Sequence, residues 1–178
     1  MPAGSYSRGV GSDAPTLPQG DLALLTTETA RRLLTSRIPA RVAYVALDGT
    51  PRIVPTWFHW TGEELTMPTF LAAPHVRHPP GRLRALRADP RVAVSIDSDE
   101  WPPEVLTIRG RATIAEVDGV APEYAAASRR YLGDEAAGAF LADIEQPGTR
   151  MAVVAVRPEW VGLLDFQARL PSALGGVA

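Results

Sequence analysis

The segment from Arg41 to Ala112 alternates β-type runs with glycine turns so tightly that the chain is held to an antiparallel β architecture. RVAYVAL (41–47) is apolar and β-branched, and Asp48-Gly49 after it tolerates the positive φ of a tight hairpin. A second strand from Ile53 to Trp60 runs back, Thr61-Gly62 turns the chain again, and Glu64 to Thr69 supplies a third. The first half of the segment therefore predicts an antiparallel meander.

Pro55 stands inside the second strand, where its missing N–H confines it to an edge or a bulge. An ordinary edge proline has no function beyond that. Thr56-Trp57 directly after it, however, sets a hydroxyl and a flat aromatic beside unpaired backbone, which makes this strand a candidate binding surface.

After Thr69 comes the Pro/His/Arg stretch HVRHPPGR (75–82), then the helical pattern GRLRALRAD, then a strand with Val92, Val94 and Ile96 on one face. Pro79 and Pro80 suit a helix start, whose first turn has spare N–H groups. Arg77, Arg82 and Arg84 thus gather at a helix N-terminus, a place that favours anions, and they form a candidate phosphate site. On helical spacing Arg84, Arg87 and Arg91 share one side while Leu83 and Leu86 face another, so Arg87 and Arg91 also fit a plain solvated face.

Taken in order, a strand ending PTWF-x-W, a strand ending in Thr, an Arg-rich step into R-x-L-x-x-D-P-R-V-x-V-x-I and a strand ending R-G-R-A resemble the flavin-binding split barrels. These are the relatives of pyridoxamine phosphate oxidase, including the branch that binds the deazaflavin coenzyme. The resemblance runs from about Ala40 to Phe166.

It implies a mainly β fold, a six-stranded antiparallel split β-barrel of the FMN-binding type with peripheral helices. It implies a homodimer whose groove holds the cofactor, the ring lying against Pro55, Thr56, Trp57 and Phe58. The phosphate would rest on Thr69 with either Arg77 or the pair Arg82 and Arg84. Both His75-Val76-Arg77 and Arg82-Leu83-Arg84 fit the family's K-x-R pattern without its Lys, and the linker is longer than usual, so both stay open.

The activity implied is hydride transfer between FMN, or alternatively deazaflavin coenzyme F-420, and a small-molecule substrate. The ring carries such chemistry, so no catalytic acid or base is assigned. The closing stretch WVGLLDFQARL lacks the pattern that resembles a pyridoxamine-phosphate site, which argues against a vitamin B6 substrate. A non-enzymatic flavin carrier or sensor, and a haem-binding barrel with His59 or His75 as axial ligand, are the competing readings. Trp101, in the loop DSDEWPP, would be costly if exposed, and is expected to cover a cofactor or pack on a second subunit.

At 178 residues the chain suits one domain, read as 21–167 between a disordered N-terminal tail (1–20) and a C-terminal tail (168–178). All 18 basic residues are Arg, so any anion clamp is guanidinium. The net charge of −2 argues against nucleic acid or membrane partners. There is no cysteine, no signal-like segment and no spanning run, which reads as cytoplasmic. His75 and His78 form H-x-x-H in a Pro-rich loop without a matching carboxylate, and no metal site is expected.

Elsewhere a helix in two pieces is expected over Asp21–Ser36, capped by Thr26 or Thr27, and two more over Pro122–Leu132 and Asp134–Ile144, divided by Gly133. Tyr124, Tyr131 and Phe140 read as packing residues. Gly110 marks a bulge in the strand starting at Val105, and Met151–Val156 and Trp160–Phe166 read as separate strands.

Overall fold

The computed structural model describes residues 17–177. A 3-10 turn, Leu22–Thr26, leads into α1 (Glu28–Thr35), and the Thr27 hydroxyl accepts from the Ala30 N–H at 3.3 Å to start that helix. The strands are β1 (Ala40–Val45), β2 (Pro51–Thr56), β3 (His59–Trp60), β4 (Leu65–Ala72), β5 (Arg91–Asp97), β6 (Val105–Asp118) and β7 (Arg150–Leu164). Helix α2 (Gly81–Ala88) joins β4 to β5, while α3 (Pro122–Leu132) and α4 (Asp134–Ile144) join β6 to β7. Gly133, at φ 86°, divides α3 from α4 as expected.

One antiparallel sheet holds all seven segments in the order β2-β1-β5-β6-β7-β4-β3. Its two ends, β2 and β3, are separated in the chain by Trp57 and Phe58 alone. Two residues span only a few ångströms, so the sheet must curl until its edges meet. That is barrel geometry, and with β2 and β3 taken as halves of one run it has the six strands expected.

The expected meander is present but split: the run after the first turn pairs with β1 through β2 and with β4 through β3, and β4 continues along β7 at the far end of the sheet. The single strand expected from Ile53 to Trp60 is the reading that needs correction: it breaks at Trp57-Phe58, where the chain crosses from one end of the sheet to the other. Pro55 does lie on an edge strand, where its missing N–H costs no ladder bond.

The two strands expected near the C-terminus are one, β7, paired along its length with β6. Its register slips between Arg109 and Gly110, opposite Pro158, so the proline sits where the ladder is already interrupted. A Cβ on Gly110 would collide with the Arg157 carbonyl oxygen, which explains glycine there.

The core is the barrel interior: Phe58, Leu65, Ile96, Leu106, Ile108, Val156 and Leu163 are buried. Leu24, Leu33 and Leu34 close it from the N-terminal helical segment, and Leu83 and Leu86 from α2. Full burial of such a side chain contributes roughly 1.5–3 kcal/mol.

Of the tail expected at 1–20, residues 1–16 lie outside the described residues. The last four run along β7. Gln19 accepts from the Leu163 N–H and donates to its carbonyl, both at 2.8 Å, and the Gly20 N–H donates to Val161 at 2.7 Å. Arg169 donates to the carbonyls of Leu163 and Leu17, tying both ends of the domain to that strand.

Candidate functional site

The break between β2 and β3 builds the site. Because the chain leaves β2 at Thr56 and crosses the barrel mouth, Thr56 and Trp57 face Pro68, Thr69 and Phe70 of β4, with Arg82 of α2 and Tyr124 of α3 completing a groove of about 200 Å³. Thr56 and Arg82 also line a slot of about 10 Å³ beneath it, walled by Tyr44, Met67 and Leu86. Thr56, Trp57, Thr69 and Arg82, all singled out in the sequence, are thus brought together.

Arg82 is the charged element of this groove. It is half-buried, and desolvation lowers its pKa from the ordinary arginine value, opposed only by nearby Tyr44. A guanidinium so shifted is still protonated near neutral pH. No carboxylate among the described residues compensates it. A half-buried cation without a counter-ion, beside two threonines, is the arrangement an incoming oxyanion would satisfy.

Residues 26–165 match the family model described as pyridoxamine 5'-phosphate oxidase. The chain belongs to that family. Its fold recurs in an F420 reductase, at 27% identity and a TM-score of 0.56, covering 74% of this chain and 94% of that one. It recurs in a conserved hypothetical protein from Mycobacterium tuberculosis (17% identity, TM-score 0.58, 79% of this chain and 86% of that one). A heme binding protein from Mycobacterium smegmatis shares it too (21% identity, TM-score 0.52, 81% of this chain and 55% of that one). No curated protein matches the chain.

Within this family fold, the aromatic wall of the groove is anchored by α3 and α4. Trp57 stacks on Tyr131 of α3 and meets Phe140 of α4 edge-on at 6.4 Å between centroids. Tyr124 continues the cluster to Phe70, and Phe70 to His75. The packing roles expected of Tyr124, Tyr131 and Phe140 are therefore correct, and Tyr124 in addition faces the groove. Burial raises the pKa of both Tyr124 and Tyr131, so both phenols are neutral near pH 7.

Arg130 is the residue that sequence reasoning missed. Its guanidinium donates to the carbonyls of Ser36 and Phe58 and lies 4.2 Å from the Phe58 ring centroid and 4.7 Å from that of Tyr131. It fastens the crossing chain to the end of α1. In sequence it sits in Arg129-Arg130 after three consecutive alanines and looks solvated, with no local signal for its inward phase.

Other candidates lie apart. Pro55 is exposed on the edge of β2, and Phe58 is fully buried in the core beneath the crossing. Arg77 is exposed outside the groove, and Arg84 opens into a different cleft across α2. Trp101 is 83% exposed and borders a hollow with Arg32, Glu104 and Asp165, away from Thr56. His59 has its pKa lowered, first by burial and then by Arg130, which favours neutral imidazole. Among the described residues no group of three His, Asp or Glu could hold a metal ion, and no helix is long and apolar enough to cross a membrane.

Proposed function

We propose that the protein is a flavin-dependent oxidoreductase, using FMN or the deazaflavin coenzyme F-420 on a small-molecule substrate. The observation that carries this reading is Arg82, an uncompensated half-buried guanidinium between Thr56 and Thr69 in a groove walled by Trp57. Family membership and the F420 reductase neighbour support it.

When bound, the ring would supply the hydride chemistry. The chain's own part is positional. Arg82 and the Thr69 hydroxyl would hold the phosphate, by charge-assisted and neutral hydrogen bonds respectively. Trp57, fixed by Tyr131, would present a rigid apolar face at the ring. Arg77 and Arg84 line no part of this groove, which supports Arg82 over them as the phosphate ligand.

The test is direct titration. Purified protein freed of small molecules should bind FMN or the deazaflavin saturably, and the bound ring should be reduced and reoxidised by added donors and acceptors. Saturable binding without turnover by any donor or acceptor would leave a carrier. Binding of neither ring, with a Soret band on adding haem, would replace the proposal with the haem reading.

A further inference from the structure

Across α2 from Arg82 lies a roomier cleft, about 660 Å³, that shares no lining residue with the Arg82 groove. Leu71, Pro79 and Leu83 give it an apolar wall, and Arg84, Arg87 and Arg150 give it three guanidinium groups against one lining carboxylate, Glu116. Glu116 bridges two of them: Arg87 donates to it at 2.8 Å and Arg150 at 3.1 Å, Arg150 also reaching Asp118 at 3.1 Å. Arg84 has no ion pair among the described residues.

We propose that this cleft is a second ligand site, taking an organic polyanion whose phosphate or carboxylate groups meet the arginines and whose apolar part lies on Leu71 and Pro79. Two features support binding over mere surface charge. Positive charge is in excess within a concave wall, where an entering anion meets several guanidinium forks at once. The pairs already present are half-exposed and hold Arg87 and Arg150 only weakly, so an anion of higher charge can share them without a large penalty. Arg84, with nothing to give up, is the anchor. The inference goes beyond the flavin reading and does not depend on it, because Arg82 and Arg84 open into different cavities.

The experiment uses the full chain and two probes, inorganic pyrophosphate and citrate, titrated by calorimetry at low salt. At least one should bind saturably, with affinity falling about five- to tenfold in Arg84→Gln, the loss of one charged hydrogen-bond partner. Arg91→Gln, at an exposed arginine that lines neither cavity, should leave that affinity within about twofold. Tighter pyrophosphate would mark the natural ligand as phosphate-bearing, and tighter citrate as a carboxylate. Arg84 is exposed, so its variant should keep the thermal midpoint of the parent, and Arg150→Gln should reproduce the loss. Absence of saturable binding by either probe, equal binding in Arg84→Gln, or an equal loss in Arg91→Gln overturns the proposal.

Discussion

Trp57 lies flat on Tyr131, with 4.8 Å between ring centroids and 5° between planes, so a residue of α3 fixes the aromatic wall of a groove built mainly from the barrel. Tyr131 is itself held, its hydroxyl donating to the Ile38 carbonyl at 3.0 Å. Removing only that bond, in Tyr131→Phe, should cost about 0.5–1.5 kcal/mol in urea unfolding. Removing the ring, in Tyr131→Ala, should cost roughly 2–4 kcal/mol and alter tryptophan fluorescence, because the stack and the buried area are both lost. If both variants unfold at the same urea concentration, the stack does not hold the wall.

Arg82 and Arg91 provide a matched pair for testing the phosphate assignment. Arg91 grips Asp89 at the surface with its Nη2 at 2.6 Å and faces no cavity described above, whereas Arg82 is uncompensated in the groove. Arg82→Gln should weaken binding of the phosphate-bearing ring by about 1.5–3 kcal/mol. Arg91→Gln should leave it unchanged. Equal affinities in calorimetry would move the phosphate elsewhere, with Arg77 the next residue to substitute.

Gly110 faces the backbone of Arg157 so closely that any side chain forces the strands apart. Gly110→Ala should therefore destabilise by about 1–3 kcal/mol, the cost of overpacking a rigid contact, and lower the thermal midpoint. Gly138→Ala, open on the exposed side of α4, should raise it slightly through helix propensity. A midpoint unchanged by Gly110→Ala would show that the bulge is not fixed by that contact.

These residues also mark how far the sequence could be read. Wherever period or punctuation is local, it was legible: Val92, Val94 and Ile96 alternate inward, Gly133 splits two helices, and Gly110 makes a bulge. Pairing partners are not local. PTWFHW reads as one apolar strand because nothing in it says that Thr56 pairs with Ala40 while His59 pairs with Thr66 at the other end of the sheet. The same limit hid Arg130, whose acceptors at Ser36 and Phe58 lie far away in sequence, and Gln19, which behaves as part of β7 although glycine and proline surround it. It also left Arg82 and Arg84 looking like one cluster, since two helical positions apart they diverge around the axis of α2.

Asp89 ends α2 through its backbone N–H, which donates to the Ala85 carbonyl, and hydrogen bonds from Arg91, followed by the charge of Arg91 and Arg111, hold its pKa down at about 2 from 3.8. A carboxylate depressed on folding contributes stability that is full above its unfolded pKa and is lost as pH falls through the folded one. The window therefore runs from about pH 4 down to about pH 2. Because the pair lies at the surface, with the Arg91 side chain largely exposed, the effect should be small and screened by salt. Asp89→Asn should flatten the stability profile in that window alone. An unchanged acid limb would assign it to other carboxylates.

The groove also bears on assembly. About 200 Å³ is less than the ~300–1,000 Å³ of sites that enclose small ligands, so on the proposed flavin reading one chain would supply only part of the site. We propose that a second copy supplies the rest, in a homodimer. Ile53 and Val45 are 66% and 39% exposed, beside each other's partners on the β1–β2 hairpin, and Trp101 is more exposed still. Apolar side chains of this size gain about 1.5–3 kcal/mol each when a partner buries them. Sedimentation should give a dimer, with Ile53→Glu shifting it toward monomer and weakening ring binding together, since the two share an interface. Trp101→Glu tests the second patch in the same way. A monomer that binds the ring as tightly as the parent would remove the shared site and leave the groove complete within one chain.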